Sequence, residues 1–227
     1  MTHEIPKLIA NNDIKSLASE LAERLAILAD DERLVIGLAG IPGAGKSTVA
    51  QMIVDEVNKH FAGSTPAIVV PMDGFHYSNE KLKEMGILAL KGIPDSFDAE
   101  GFADLVKRLK TNATSTIEAP LFDRRIEASI DGGIVILPDD RLCVVEGNYL
   151  LLEEPRWEAA RPYFDEIWFI DVPVETVYPR LMARHLLARS EAEAKAKIES
   201  TDIPNARLIQ GTKENADRII RIGIMDS

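Results

Sequence analysis

The sequence predicts an α/β sandwich built on a buried parallel sheet, and three observations carry that prediction. Five short apolar segments, Leu34–Ala39, Ala67–Met72, Leu142–Val145, Ile167–Ile170 and Ile219–Ile222, are mostly β-branched. They do not alternate, so both faces of each strand should be buried. Helical patterns fill the stretches between them, as right-handed βαβ crossovers require. The composition is that of an ordinary globular chain, 46% hydrophobic and 28% charged over 227 residues, long enough to bury a core without disulfides or a structural metal. There is no internal repeat and no flexible linker, so residues 1–227 read as one domain.

Composition also removes several classes of function. The single cysteine, Cys143, excludes an intramolecular disulfide framework and any Cys-cluster zinc site. Lys and Arg number 26 against 37 Asp and Glu, a formal charge of −11. Such a balance opposes sequence-blind binding to phosphate backbones, so no nucleic-acid partner is expected. No apolar run approaches the ~18 residues of a membrane span, and MTHEIPKL lacks the basic and apolar regions of a secretory signal. A soluble, cytoplasmic protein with no membrane partner is the expectation.

Along the chain, Ile14, Leu17, Leu21, Leu25 and Leu28 step by three or four and predict a first helix. The strand Leu34–Ala39 leads into Gly40-Ile41-Pro42-Gly43-Ala44-Gly45-Lys46-Ser47, a GxxxxGKS match, and a helix from Lys46 to about His60 follows. After the second strand, residues 74–125 carry a loop (Gly86–Phe97) and a helix on Phe102, Leu105, Val106 and Leu109, with Asp98 as its N-cap. Asp131-Gly132-Gly133 reads as a hairpin turn at an edge. Beyond the fourth strand, residues 174–204 carry helices with several arginines, and Ser190 with Glu193 makes a capping box. Insertions of this kind in an α/β fold serve a site at the carboxyl ends of the strands.

The chemistry starts at the glycine-rich loop. Its glycines let the backbone curl around phosphate oxygens, Lys46 adds a charge for the β/γ-phosphates, and the Ser47 hydroxyl suits Mg²⁺. The helix that follows presents its positive N-terminus to the same anion. The pattern therefore reads as a site for a nucleoside triphosphate with magnesium, formed by residues 40–48 including Thr48. Two carboxylates stand at strand ends nearby. Glu146 is where a Walker B acid belongs, and Asp73 is left to accept a proton from an incoming hydroxyl. Asp171, at another strand end, reads as a turn residue. Arg180 and Arg184 are four apart and share a helix face, ready to neutralise charge during transfer, while His185 beside them reads as surface. A GTPase switch would want a DxxG after the Walker B strand and an NKxD base-reading motif, and neither occurs.

With GLAGIPGAGKST, MDGFHYSN from Met72, KGIPDSFD from Lys91, VVEGNYLLL from Val144 and RLMARHL from Arg180, the chain resembles the uridine kinase/pantothenate kinase/phosphoribulokinase group of P-loop kinases. The resemblance runs from about Leu34 to Ile220. It implies a P-loop three-layer sandwich with a five-stranded parallel core in the order 2-3-1-4-5 and a helical lid at about 176–204. It also implies MgATP as cofactor, Asp73 as catalytic base with Lys46, and Arg184 on the phosphates with Arg180 a second candidate. Gly92 stands where uridine kinases carry a ribose-contacting Asp, and Glu127 where they carry a His. Phe122-Asp123-Arg124 replaces the YSH triplet of pantothenate kinases. The combination looks most like a bacterial branch labelled fructose-transport or nucleoside kinase-like. The group commonly forms homodimers, which makes a second copy a candidate partner.

The acceptor pocket is expected from His76, Tyr77, Phe97, Asp123, Arg124, Asn148 and Tyr149, within the insertion at 74–125 and the loop after Glu146. The expected function is ATP-dependent phosphorylation of a hydroxyl on a small metabolite: a sugar, a nucleoside or a pantothenate-like molecule. A true uridine or pantothenate kinase is the narrower alternative. The rival from another class is a nucleotide-binding regulator without transfer, which would have no need of an acceptor-activating acid such as Asp73.

Overall fold

The computed structural model describes residues 7–9 and 14–221. Its first half runs β1 (Lys7–Ile9), α1 (Ile14–Ile27), β2 (Leu34–Gly40), α2 (Lys46–Lys59), β3 (Ala67–Pro71), α3 (Asn79–Glu84) and α4 (Ala99–Thr111). The second half runs β4 (Ile117–Asp123), β5 (Ala128–Ile136), β6 (Leu142–Gly147), α5 (Pro155–Glu158), β7 (Glu166–Ile170), α6 (Val174–His185), α7 (Glu191–Lys197), α8 (Ile203–Gln210) and β8 (Arg218–Ile220).

Six strands pair in one fully parallel sheet, ordered β3-β6-β2-β7-β8-β1. Numbered along the chain, the five expected strands lie in the order 2-3-1-4-5, as the resemblance implies. β1 adds a sixth strand outside β8 that the sequence reading does not assign, because three residues are too few to show a period. The last expected strand, Ile219–Ile222, forms as Arg218–Ile220, and Ile222 lies outside the described residues. β2 and β6 are buried along their whole length, which is why neither alternates. α2 packs on β2, β3 and β6, and α4 on β2 and α5. The buried apolar side chains form one cluster running through these layers.

Caps set the helix boundaries where the sequence places them. The Asp98 carboxylate accepts from the Gly101 N–H at 2.9 Å, and Ser190 and Glu193 close a reciprocal capping box. The hairpin differs from its prediction. β4 and β5 form a separate two-stranded sheet whose turn is residues 124–127, and Asp131-Gly132-Gly133 lies inside β5. Leu121 pairs with Ile130 and Ala119 with Ile134, so residues 131–133 oppose Pro120 alone. The Asp-Gly signal is used for a bulge, with Gly132 at φ 63°, rather than for the turn. β4 also crosses the end of β3 closely. A Cβ at Gly74 would lie 2.0 Å from the Pro120 carbonyl oxygen, so only glycine fits after Asp73. No helix among the described residues is long and apolar enough to cross a membrane.

Candidate active site

At the carboxyl end of the sheet a cleft of about 600 Å³ opens between the glycine-rich loop, the insertion and the α6–α8 segment. The loop residues Pro42, Gly43 and Gly45 through Thr48 line it. Gly43 (φ 80°) and Gly45 (φ 90°) occupy the left-handed region, and Gly45 caps α2. A helix leaves its first N–H groups without intrahelical partners, so the start of α2 gives the cleft an anion-binding wall. Lys46 is 8% exposed, and its ammonium donates to Gly40 O at 2.9 Å, Ile41 O at 3.1 Å and Asn148 Oδ1 at 2.6 Å. Burial lowers its pKa, while the charges of Glu146 and Asp73 oppose that shift.

Glu146 is the next-to-last residue of β6, and its carboxylate accepts from the Ser47 hydroxyl at 2.7 Å. Burial raises its pKa against the pull of Lys46. Asp73 belongs to the short 3-10 turn Met72–Phe75 that follows β3, and it accepts from Arg124 Nη2 at 2.7 Å. Asp73 raises the pKa values of both Lys46 and Glu146, so the two strand-end carboxylates and the loop lysine form one electrostatic unit. Arg184 lines the same cleft, where Arg124 repels it and Asp73 attracts it. The hydroxyl and carboxylate oxygens of Ser47 and Glu146 suit magnesium, which keeps several waters and substrate phosphates as ligands. No group of three or more His, Cys, Asp or Glu among the described residues could hold a metal by itself, so magnesium here would arrive with phosphate oxygens.

The structure brings Lys46, Ser47, Thr48, Asp73, His76, Phe97, Arg124, Glu146, Asn148 and Arg184 to the cleft wall. Gly40, Ile41 and Ala44 complete the loop behind it, and the Gly40 and Ile41 carbonyls accept from Lys46. His76 Nδ1 meets the Asp73 carbonyl at 2.8 Å, and its ring lies between Phe97 (3.9 Å) and Phe122 (4.8 Å). Four expected residues are placed elsewhere. Arg180 donates to the Gly43 carbonyl at 3.2 Å and is not on the cleft wall, although it shares α6 with Arg184. The Asp123 carboxylate is taken up by Arg125, which holds its pKa down at about 2, and points along the hairpin turn. Tyr77 is off the cleft wall, its N–H bonded to Ser96 O. Tyr149 is fully buried, and its hydroxyl donates to the Gly92 carbonyl, so it supports the wall from behind.

His185 is the clearest departure. Expected at the surface, it is 5% exposed, and its Nε2 lies 2.6 Å from the Asp202 carboxylate. Asp202 sits in the π turn Ile198–Asp202 that joins α7 to α8, so the partner is distant in sequence. Lys91, Phe122, Glu127, Arg189, Lys197 and Asn205 also line the cleft, although none of them is among the expected acceptor-pocket residues. The motifs showed Lys91, Phe122 and Glu127 without their roles, and nothing in the sequence singles out Lys197. Asp171 keeps the structural part the sequence suggests: it accepts from Gln210 at 3.0 Å and Arg221 at 3.1 Å, fastening α8 and the end of β8.

No family model matches the chain. A Schizosaccharomyces pombe protein provisionally named a uridine kinase is 32% identical over 216 residues, covering 92% of this chain and 92% of its own. A pantothenate kinase of Limosilactobacillus reuteri is 28% identical over 209 residues, covering 82% of this chain and 67% of its own. Among solved structures, a Silicibacter kinase provisionally assigned to a fructose transport system is 34% identical with a TM-score of 0.83, and the match covers 92% of this chain and 100% of that one.

Proposed function

Starting from a chain that belongs to the uridine kinase/pantothenate kinase group of P-loop kinases, we propose that it transfers the γ-phosphoryl group of ATP to a hydroxyl of a small metabolite. The observation that carries this reading is the second carboxylate. Glu146 already meets the loop serine, yet Asp73 stands free of that task at the neighbouring strand end. A site that only binds nucleotide has no use for a carboxylate placed to take a proton from an incoming hydroxyl.

In the proposed reaction the acceptor hydroxyl approaches the γ-phosphorus in line, and Asp73 takes its proton as the new P–O bond forms. The bond to the β-phosphate oxygen breaks, and ADP leaves. Lys46 and Arg184 hold negative charge on the transferring group, and Arg124 keeps the Asp73 carboxylate oriented until the hydroxyl arrives. Ser47 and Glu146 would hold the magnesium that accompanies ATP, which would neutralise negative charge on the phosphates. His76, stacked between Phe97 and Phe122, gives the acceptor a rigid wall.

A coupled ADP-release screen of the purified protein tests this against sugars, nucleosides, pantothenate and related vitamins. Acceptor-dependent ADP release is expected for one of these classes. Tight MgATP binding with no acceptor-dependent release across the set would favour a regulator that has lost transfer.

A further inference from the structure

Two clusters of cations share the cleft. Lys46, Arg124 and Arg184 surround Asp73 and Glu146, where the triphosphate chemistry is placed. Lys91, Arg189 and Lys197 form a second group on the insertion and the α6–α8 segment. Lys91 Nζ donates to Asn79 Oδ1 at 2.9 Å and Glu127 O at 3.0 Å, and lies 5.1 Å from the centre of the Phe122 ring. Lys197 Nζ donates to the Lys91 carbonyl at 2.7 Å and the Ala89 carbonyl at 3.1 Å. An ammonium has three donors, so each lysine keeps one N–H beyond these bonds. Burial lowers the pKa of both lysines, Glu127 and Asp202 oppose that shift, and the nearby Arg189 charge adds to it.

Arg189 is held in an unusual way for a guanidinium on a lid. Among the described residues it makes no ion pair; its one hydrogen bond runs from Nη1 to His185 Nδ1 at 3.3 Å. That bond needs a lone pair on Nδ1, so the His185 proton is on Nε2 and donates to Asp202. His185 and Asp202 are 5% and 8% exposed. A buried Asp–His pair thus fixes one edge of Arg189 and leaves the rest of its planar fork for a ligand, the arrangement suited to a two-oxygen anion. Three cations gathered around one end of a cavity repel one another, and an anion in the cavity relieves that repulsion.

We propose that the phosphate acceptor itself carries an anionic group, a carboxylate or a phosphate, bound by Arg189 with Lys91 and Lys197, and that the His185–Asp202 pair is the positioning element for Arg189. This rests on the kinase reading above, since it places the acceptor rather than ATP at this end of the cleft.

The test is calorimetric and needs no turnover. The protein is first saturated with magnesium and a non-hydrolysable ATP analogue, so that the glycine-rich loop is filled. It is then titrated with inorganic phosphate, glycerate and glycerol. At least one of the two anions should bind ten-fold or more tightly than glycerol; phosphate alone or glycerate alone identifies which group the acceptor bears. Arg189→Ala should weaken that anion at least ten-fold while the ATP analogue binds within a few-fold of wild type. Lys195→Ala, exposed on the outer side of α7, should match wild type. His185→Phe, checked for folding by its melting curve, should move with Arg189→Ala, and His185→Asn should recover part of the affinity. Anion binding no tighter than glycerol, or unaffected by Arg189→Ala, overturns the anionic acceptor. Unchanged anion affinity in a folded His185→Phe overturns the positioning role. Failure to bind the ATP analogue would instead sink the kinase reading itself.

Discussion

The glycine-rich loop and the acceptor wall face each other across one cleft, but they are held by different means. On the loop side, each functional group sits at the end of a central, fully buried strand or at the start of α2, and a single contiguous run of sequence supplies most of it. Lys46, Ser47, Glu146 and Asn148 satisfy one another at 2.6–2.7 Å. On the acceptor side the wall is assembled from the 88–97 loop, the hairpin turn, and α6 to α8, joined by single side-chain bonds to backbone carbonyls. Rigidity comes from the sheet on one side and from scattered polar ties on the other. Substitutions on the loop side should therefore damage the chemistry outright, and those on the acceptor side should shift it by degrees.

Lys46→Ala gives the largest expected effect. A cation worth about 10²–10³ in turnover as a preorganised donor is lost, and nucleotide binding weakens with it. Together these should lower kcat/KM for ATP by on the order of 10⁴-fold, a product of that donor term and the lost binding. Turnover close to wild type in a protein with an unchanged melting curve would remove the loop from the chemistry.

Asp73→Asn sharpens the contrast between the two carboxylates. Turnover should fall by roughly 10²–10⁴, the worth of a positioned general base, with ATP affinity within a few-fold of wild type. Collapse of ATP binding instead would show that Asp73 belongs to the loop side as a metal or structural group, and Glu146 would become the candidate base.

The same division explains what could be read from the residues alone. GIPGAGKS, Asp73 and Glu146 lie next to apolar strands whose burial is written in their composition, so their positions follow once the sheet is recognised. The Asp98 and Ser190 caps are legible from their own local patterns, whereas the strand order comes only as what the family resemblance implies. The acceptor wall depends on contacts between residues far apart in the chain: Lys91 with Glu127, Lys197 with Lys91, His185 with Asp202. No local pattern encodes these. Asp123 and Tyr149 misled because polar and aromatic residues beside a motif look alike whether they face the cleft or brace it. Asp131-Gly132-Gly133 misled because a bulge and a turn ask for the same residues.

Arg184 stands on the boundary between the halves, since it lines the cleft from α6 within the fields of both Arg124 and Asp73. Arg184→Ala should lower turnover roughly ten- to hundred-fold, less than a lone arginine finger because Arg124 shares the site. ATP affinity should change less than turnover does. Arg184→Lys should restore only part, because an ammonium cannot make the two-pronged contact of a guanidinium. Full activity of Arg184→Ala with the true acceptor present would assign the charge-stabilising role to Arg124 or Arg189.

The smallest expected effect tests whether the acceptor wall really depends on scattered ties. Gly92 stands at φ 110°, and its carbonyl accepts both the Tyr149 hydroxyl and Asn205 Nδ2, the latter at 2.9 Å. Tyr149 reaches it from the turn that follows β6, the loop-side strand, while Asn205 reaches it from α8. Either bond alone keeps the carbonyl satisfied, so Tyr149→Phe and Asn205→Ala should each cost about 0.5–1.5 kcal/mol in denaturant unfolding. The double variant leaves the acceptor without a protein partner and should cost more than the two single losses added together, as expected for groups sharing one partner. The kinetic signature should be a few-fold rise in KM for the phosphate acceptor with KM for ATP unchanged, because the 88–97 loop would shift while the sheet holds the glycine-rich loop in place. Strict additivity in unfolding, or an equal rise in both KM values, would mean that the Gly92 carbonyl is not a hinge point of the wall and that the two sides of the cleft move as one body.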